Sequence, residues 1–426
     1  MRIKRSHPGG NQGSILMGTL VATMVVGMVL VGYMRMVGSA HRDAVRSEAW
    51  NTSLALAEAG VEEALSHLAV NFPSNLVSQG WIKDGTNIAR TRTLGNEYYT
   101  VRISLATQPV VMSRGYVRHA GDNNYLSRTV QVLTMQTGVV SKAFATKLNI
   151  KINGNNISAD SYDSTNPLYS DAIGRYDPSR ARDNGDVSTN LGTDWALDAG
   201  NASIKGRVST GADGGVSYGP NATIGSTTWH SEGNTGVEPG WSGDDANVPM
   251  PTVVLPDMSG SSYTSTGSVN GTNYNHVMGS GTYEISQLSG NVLVTGDAVL
   301  HVTKQVNISG TDVLRIAPGA RLQLYVSGTS AHISGSAIAN ESGLAANLVY
   351  FGLPSNTDLA ISGTSEFAGV VYAPYTSLQL NGSGNIYGAI ISKTAQLNGN
   401  YGFHFDESLD RTLELKRIAV LSWEEI

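Results

Sequence analysis

Phe367-Ala368-Gly369-Val370-Val371-Tyr372 is answered nineteen residues later by Ile386-Tyr387-Gly388-Ala389-Ile390-Ile391. A second motif keeps step with it: Ile333-Ser334-Gly335, Ile361-Ser362-Gly363, Leu380-Asn381-Gly382 and Leu397-Asn398-Gly399 follow one another at 28, 19 and 17 residues, with earlier copies at Ile152-Asn153-Gly154 and Ile308-Ser309-Gly310. Alternating apolar pairs lie between: Val292/Val294, Leu300/Val302, Val306/Ile308, Leu314/Ile316 and Leu322/Leu324. Strands this short are unstable alone, but stacked repeats bury one face in a continuous core and pair their backbones between repeats. Gly and Asn supply the positive-φ corners. The spacing predicts a parallel β-helix, a solenoid with rungs of roughly 17–24 residues, rather than a β-sandwich with strands every 8–12. Its first coils are expected at 143–231 and its main body at 270–409. The Pro- and Gly-rich stretch 232–269 reads as a linker or excursion.

Composition agrees with a turn-dense, mainly β chain. Gly supplies 49 of 426 residues, and only 15% are charged. Lys and Arg (28) are outnumbered by Asp and Glu (34), which argues against a nucleic-acid partner. The absence of Cys excludes disulfides, thiolate-held metals and thiol catalysis.

The N-terminal part reads differently. Residues 1–14 form a basic leader with Arg2, Lys4 and Arg5, and Ile15 to Met34 contains no charge. Twenty helical residues span about 30 Å, the thickness of a bilayer core. The run exceeds the usual apolar stretch of a cleaved signal peptide, and Arg35 interrupts before the small residues Gly38, Ser39 and Ala40. A retained single span is therefore expected, with the N-terminus in the cytoplasm and the body outside. Helical periodicity continues through Leu54, Val61, Leu65 and Leu68, with Glu58, Glu62 and Glu63 mostly opposite, until Pro73 ends it. One helix over 15–72 follows.

Gln12-Gly13-Ser14, the apolar span and Ala55-Leu56-Ala57-Glu58-Ala59-Gly60-Val61-Glu62-Glu63-Ala64 resemble the N-terminus of PilX-like type IV pilus assembly proteins. The resemblance implies a pilin-type helix anchored in the inner membrane, with Leu54, Glu58, Gly60, Val61, Leu65 and Leu68 serving assembly with pilus or secretion-system subunits. It also implies leader cleavage between Gly13 and Ser14. That cut puts Gly18 at mature position five, where ordinary pilins carry Glu, which suits an initiating or capping subunit. The segments Asp160-Ser161-Tyr162-Asp163-Ser164, Phe367 to Pro374 and Phe403 to Leu409 resemble an uncharacterised β-helical domain found behind such N-termini.

Between helix and solenoid, residues 90–140 read as a small antiparallel β unit. Tyr99, Val101, Ile103 and Leu105 alternate with polar neighbours, two further strand-like runs follow, and Gly121-Asp122-Asn123-Asn124 marks a turn. Arg102, Arg114, Arg118 and Arg128 are read as solvated strand charges rather than a patch for anionic ligands. The tail 410–426 reads as a cap over the solenoid, anchored by Trp423, with a partner-docking strand as the alternative.

Candidate chemistry is sparse. Glu284, Asp297, Asp312, Glu341, Asp358 and Glu366 are isolated, whereas glycoside hydrolysis needs a convergent pair. Asp160, Asp163 and Asp171, with Asn155 and Asn166, are weak calcium candidates lacking an EF-hand pattern. His404 is expected on the exposed face of the last rung. No cofactor is expected. Tyr372, Tyr375 and Tyr387 could present aromatic area to a polysaccharide or other surface ligand. The sequence thus reads as a non-enzymatic, membrane-anchored pilus or secretion accessory protein presenting its body in the periplasm or at the cell surface. The rival is a β-helical polysaccharide-degrading enzyme or secreted carbohydrate-binding protein.

Overall fold

The computed structural model describes residues 12–71, 76–104, 106, 108–118, 124–154, 156–334, 338–363, 366–413 and 415–426. Arg2, Lys4, Arg5, Pro73, Leu105, the turn residues Gly121, Asp122 and Asn123, Asn155 and Gly335 lie outside them. The chain is mainly β with a long N-terminal apolar helix. It divides into two compact units, Met1–Gln136 with Arg417–Ile426, and Thr137–Lys416.

In the first unit, α1 (Gln12–Asn71) is long and apolar enough to cross a membrane. Its character changes along its length. Large apolar side chains from Ile15 to Val37 are exposed, whereas Ala49, Leu56, Ala57, Val61, Ala64 and Leu68 are buried at helical spacing. The buried face rests on an antiparallel sheet of β1 (Ile82–Asp84), β2 (Asn87–Leu94), β3 (Glu97–Ser104), β4 (Val110–Arg118) and β5 (Tyr125–Gly138). Val101, Ile103, Val111, Val130 and Val132 alternate inward against it, as a half-buried sheet requires.

The approach is close because glycine sits on both surfaces. A Cβ on Gly115 of β4 would strike the Ser53 carbonyl and lie 2.7 Å from the Ala57 amide nitrogen. One on Gly60 of α1 would strike the Ser113 hydroxyl and lie 2.8 Å from the Tyr99 ring. Beside this contact Glu63 accepts from Arg92 (2.9 and 2.7 Å) and from the Tyr99 hydroxyl (2.7 Å), with Arg90 at 3.4 Å. Burial alone would raise the Glu63 carboxyl, but these donors and the two guanidinium charges hold it below its ordinary value. Burial, then the bond to Glu63, pushes the Tyr99 hydroxyl up to about 12.

The C-terminal tail departs from its expected role as a cap. Lys416–Glu425 forms the sixth strand of this sheet beside β5, with the Ile426 amide bonded to the Thr129 carbonyl at 3.0 Å and Glu425 paired with Arg128. An unpaired β5 edge attracts such a strand, and its alternating Ile418, Val420 and Ser422 suit one. The sheet also begins earlier than residue 90, because β1 and β2 carry little apolar alternation to announce them.

In the second unit, strands stack in parallel as successive tiers. One inward column runs Leu300, Leu324, Tyr350, Val371, register partner to register partner. A second runs Ile390, Phe144, Val187, Val208. Val371 and Ile390 belong to one long strand, Phe367–Leu397, and every member of both columns is buried in a single apolar core. The tier order is not the chain order. The chain enters mid-stack at Phe144–Thr146, climbs to Ser242–Gly243 at one end, returns, and winds from Gly281–Ser289 back to Asn400–Asp406. There Asn400–Asp406 pairs with Ser158–Tyr162, so late and early tiers close on each other.

The stretch 232–269, expected as a linker or excursion, begins inside the stack itself. Gly236–Val237 and Ser242–Gly243 pair as tier strands, and the chain beyond them lies extended along the stack. The Asn190 side chain exchanges two 2.7 Å bonds with the Val248 backbone, Tyr372 donates to the Pro251 carbonyl (2.7 Å), and Ser262 bonds Thr282 and Glu284 at the far end. Two short helices also interrupt a region that reads as helix-free, α2 (Thr227–Ser231), capped by Ser226, and α3 (Leu409–Thr412).

Candidate functional site

Three consecutive register positions bring Tyr387, His404 and Asp160 together where the late tiers meet the early ones. His404 Nδ1 lies 2.6 Å from Asp160 Oδ1, and its Nε2 lies 3.3 Å from Asn385 Oδ1. The loop between Ser158–Tyr162 and Val187–Thr189 folds over this point. Its Tyr176 donates to Asp160 Oδ2 (2.6 Å) and stacks on His404 with centroids 3.8 Å apart, while Tyr387 lies 5.1 Å from the His404 ring and 5.7 Å from Tyr176, so the three rings form one cluster. Burial and the bond to Asp160 push the Tyr176 hydroxyl well up. Burial, then the Glu366 charge, raises Tyr387. His404 is thus buried under Tyr176 rather than exposed on a terminal rung. Tyr176 covers one ring face and both nitrogens are engaged, so the contacts of this cluster hold the late tiers to the early ones.

More of the same loop is tied down nearby. Arg182 pairs with Glu407 (2.6 Å), Arg411 with Asp163 (2.7 Å), and Arg175 donates to the Glu341 and Ser342 carbonyls. Asp406 is 1% exposed; its Oδ1 accepts from the Ser164 and Ser408 amides at 3.1 Å, and its Oδ2 has no partner. Burial pushes its carboxyl up against the lowering effect of those amides.

The calcium candidates do not converge. Asp160 is spent on His404 and Tyr176. Asp163 accepts from Thr165 and Arg411, which outweigh burial and hold its carboxyl low. Asp171 caps its own turn through the Ile173 and Arg175 amides (2.9 and 2.7 Å), and Asn166 accepts from the Leu168 amide. No group of three or more metal-ligating side chains occurs among the described residues.

Of the aromatic surface candidates, Tyr372 is wholly buried. It continues an outward row with Tyr325 and Phe351, which stack at 4.6 Å, and Val248 and Val253 of the return segment join the same cluster. Tyr375 is partly open, bonded to Thr252 (2.7 Å) with Lys147 3.7 Å from its ring centre. Tyr387 is held in the His404 stack.

On the helix, Gly60, Val61 and Leu68 are buried against the chain's own sheet, Leu54 and Leu65 are partly so, and Glu58 is half-buried. The backbone of Gly13 and Ser14 lies in the first turn of α1. The arginines divide between two faces of the sheet. Arg102 pairs with Asp84 (3.4 Å) and Arg114 bonds Ser127, whereas Arg128 turns toward Trp50 of α1.

The His404 cluster was invisible in the sequence because Asp160 and Tyr176 lie far from it along the chain. Knowing that the last tier abuts the first would have been the necessary signal.

Comparison with known proteins adds one partial family match. A domain of unknown function, DUF7305, matches residues 242–412, which holds the later tiers and the return segment. No curated protein sequence matches. Among solved structures, the crystal structure of the competence-associated pilin ComZ from Thermus thermophilus is similar over 88% of this chain and 96% of that one, at 13% identity and a TM-score of 0.31. A score that low leaves the likeness without weight for function.

Proposed function

We propose that this chain is a non-enzymatic, membrane-anchored accessory protein of the minor-pilin or pseudopilin type, and that its tiers are the coils of a parallel β-helix. The helix would hold the protein in the inner membrane with its N-terminus in the cytoplasm. The body would stand in the periplasm or at the cell surface for pilus or secretion-system assembly or for adhesion. The division of α1 carries this reading: one end is apolar and open over more than a bilayer's thickness, and the other is packed into a folded sheet. The PilX-like residues around Gly60 support it, since that glycine is what lets the sheet approach the helix. Polysaccharide degradation draws no support from the isolated acids, as Glu284 is bonded to His301 and Glu341 to Arg315.

N-terminal sequencing of the protein from a membrane fraction, with protease accessibility alongside, tests the reading. A start at Ser14 with a protected helix and an accessible body is expected. A start near His41 in a soluble fraction would overturn it.

A further inference from the structure

Two β-turns stack on adjacent tiers at one corner of the second unit. In Thr193–Ala196 the Ala196 amide bonds the Thr193 carbonyl at 3.1 Å, and in Gly211–Gly214 the Gly214 amide bonds the Gly211 carbonyl at 2.9 Å. The Gly215 amide also reaches the Thr193 carbonyl (3.1 Å), joining the two turns. The third position of each turn has positive φ, 62° at Asp213 and 64° at Trp195. Asp is a residue that such a position accepts; a bulky indole is strained there, where Asn or Gly would not be.

Nor does the indole gain anything inside the chain. Trp195 is 74% exposed, while its neighbours Ala196 and Leu197 are fully buried and fix the corner from beneath. A strained backbone position that displays an aromatic ring points to use of that ring outside the fold.

The surroundings specify the ligand chemistry. The corner exposes Gly192, Thr193, Asp194, Ala212 and Asp213, each of them small or acidic. Asp194 precedes Trp195 in its turn, Asp213 holds the same turn position as Trp195 on the next tier, and both carboxylates are exposed. Carboxylates accept hydrogen bonds from hydroxyls, and an open indole face stacks on the C–H face of a sugar ring. We propose that Trp195 is the stacking platform of a glycan-binding site, with Asp194 and Asp213 accepting hydroxyl hydrogen bonds from a neutral oligosaccharide. The site is independent of the membrane and pilus assignment.

The test is saturation-transfer NMR of the full chain with cellotetraose, maltotetraose and chitotetraose, alongside a lysine octapeptide. Binding of at least one tetrasaccharide is expected. Trp195→Ala should weaken it tenfold or more, Trp195→Phe by less, and Asp194→Asn with Asp213→Asn by a few-fold. Trp195→Asn should abolish binding while raising Tm by a few degrees, because it relieves the turn. No sugar binding, sugar binding indifferent to Trp195→Ala, or capture of the lysine peptide alone would overturn the assignment. So would a lower Tm for Trp195→Asn, which would make the indole a structural residue.

Discussion

In the helix–sheet unit, glycine lets the two surfaces close: Gly115 meets the main chain of Ser53 and Ala57, Gly60 meets the Ser113 hydroxyl and the Tyr99 ring, and neither place has room for a methyl group. In the tiered unit, such close main-chain approaches run between successive tiers, as where Gly154 meets the Gly399 carbonyl, and the interior is filled by the side chains of Leu300, Leu324, Tyr350 and their partners. The first core is therefore intolerant of added volume and the second of removed volume. The difference follows from geometry. A helix laid on a sheet gains dispersion energy by closing the gap, whereas a stack of parallel strands has its tier spacing set by backbone pairing and leaves the interior for side chains to fill.

The largest effect should come from hollowing the tiers. Leu324→Ala, in the middle of the inward column, is expected to cost about 3–4 kcal/mol, read as a lower midpoint in urea unfolding of the full chain. Filling the helix–sheet contact comes next. Gly115→Val should cost about 2–3 kcal/mol, with hydrogen exchange rising in α1 and β4 while the tiers stay protected. Gly27→Val, in a part of α1 where a Cβ meets nothing within 4 Å, should cost far less and thereby isolate the contact. Equal losses at Gly115 and Gly27 would dissolve the comparison.

Smaller effects separate the polar devices of the two units. Buried Asn356 accepts from Tyr350 and Thr376 and donates to the Gly328 carbonyl. Asn356→Ala strands the Tyr350 hydroxyl and the Gly328 carbonyl, while Thr376 keeps its 2.7 Å bond to the main-chain carbonyl of residue 356, and should cost about 2 kcal/mol. At Glu63 the native carboxyl is depressed, so its stabilisation is present above the ordinary carboxylate range and is lost as pH falls through the lowered native value. Glu63→Gln should cost about 1.5 kcal/mol near neutrality, with the gap to wild type closing in acid. Asp406 runs the other way. Its native carboxyl is raised, so its contribution is whole below the ordinary range and declines as pH rises through the raised value. Asp406→Asn should gain about 1 kcal/mol at neutral pH, and that gain should vanish in acid. Parallel pH profiles for the two variants would remove the contrast.

Much of the secondary structure is legible in the sequence because its causes are local. The uncharged run and the spacing of Leu54, Val61, Leu65 and Leu68 give α1, and the pairs Leu300/Val302 and Leu322/Leu324 point inward as their alternation implies. What fails is adjacency. Nothing near Phe144 says that it will sit on Ile390, and nothing near Lys416 says that its strand will leave the tiers for β5. His404 looks exposed because the loop bearing Tyr176, which covers it, lies more than two hundred residues earlier. Tyr372 looks available because a Pro-rich stretch reads as a linker until its carbonyls find partners. Trp195 draws no notice because a tryptophan signals burial far more often than display.

The sixth strand beside β5 has a consequence for biogenesis. A chain made from its N-terminus lays down β5 early, and the whole of Thr137–Lys416 follows before the neighbouring strand arrives. For that interval β5 presents bare amides and carbonyls, the kind of edge that recruits stray strands. A ribosome that stops short, or a protease that trims the tail, leaves that edge permanently open, so the first unit is complete only in molecules whose synthesis ran past residue 425. Synthesis through the sixth strand is thereby a condition of that sheet's solubility, and damage late in the message becomes visible in the unit that was made first.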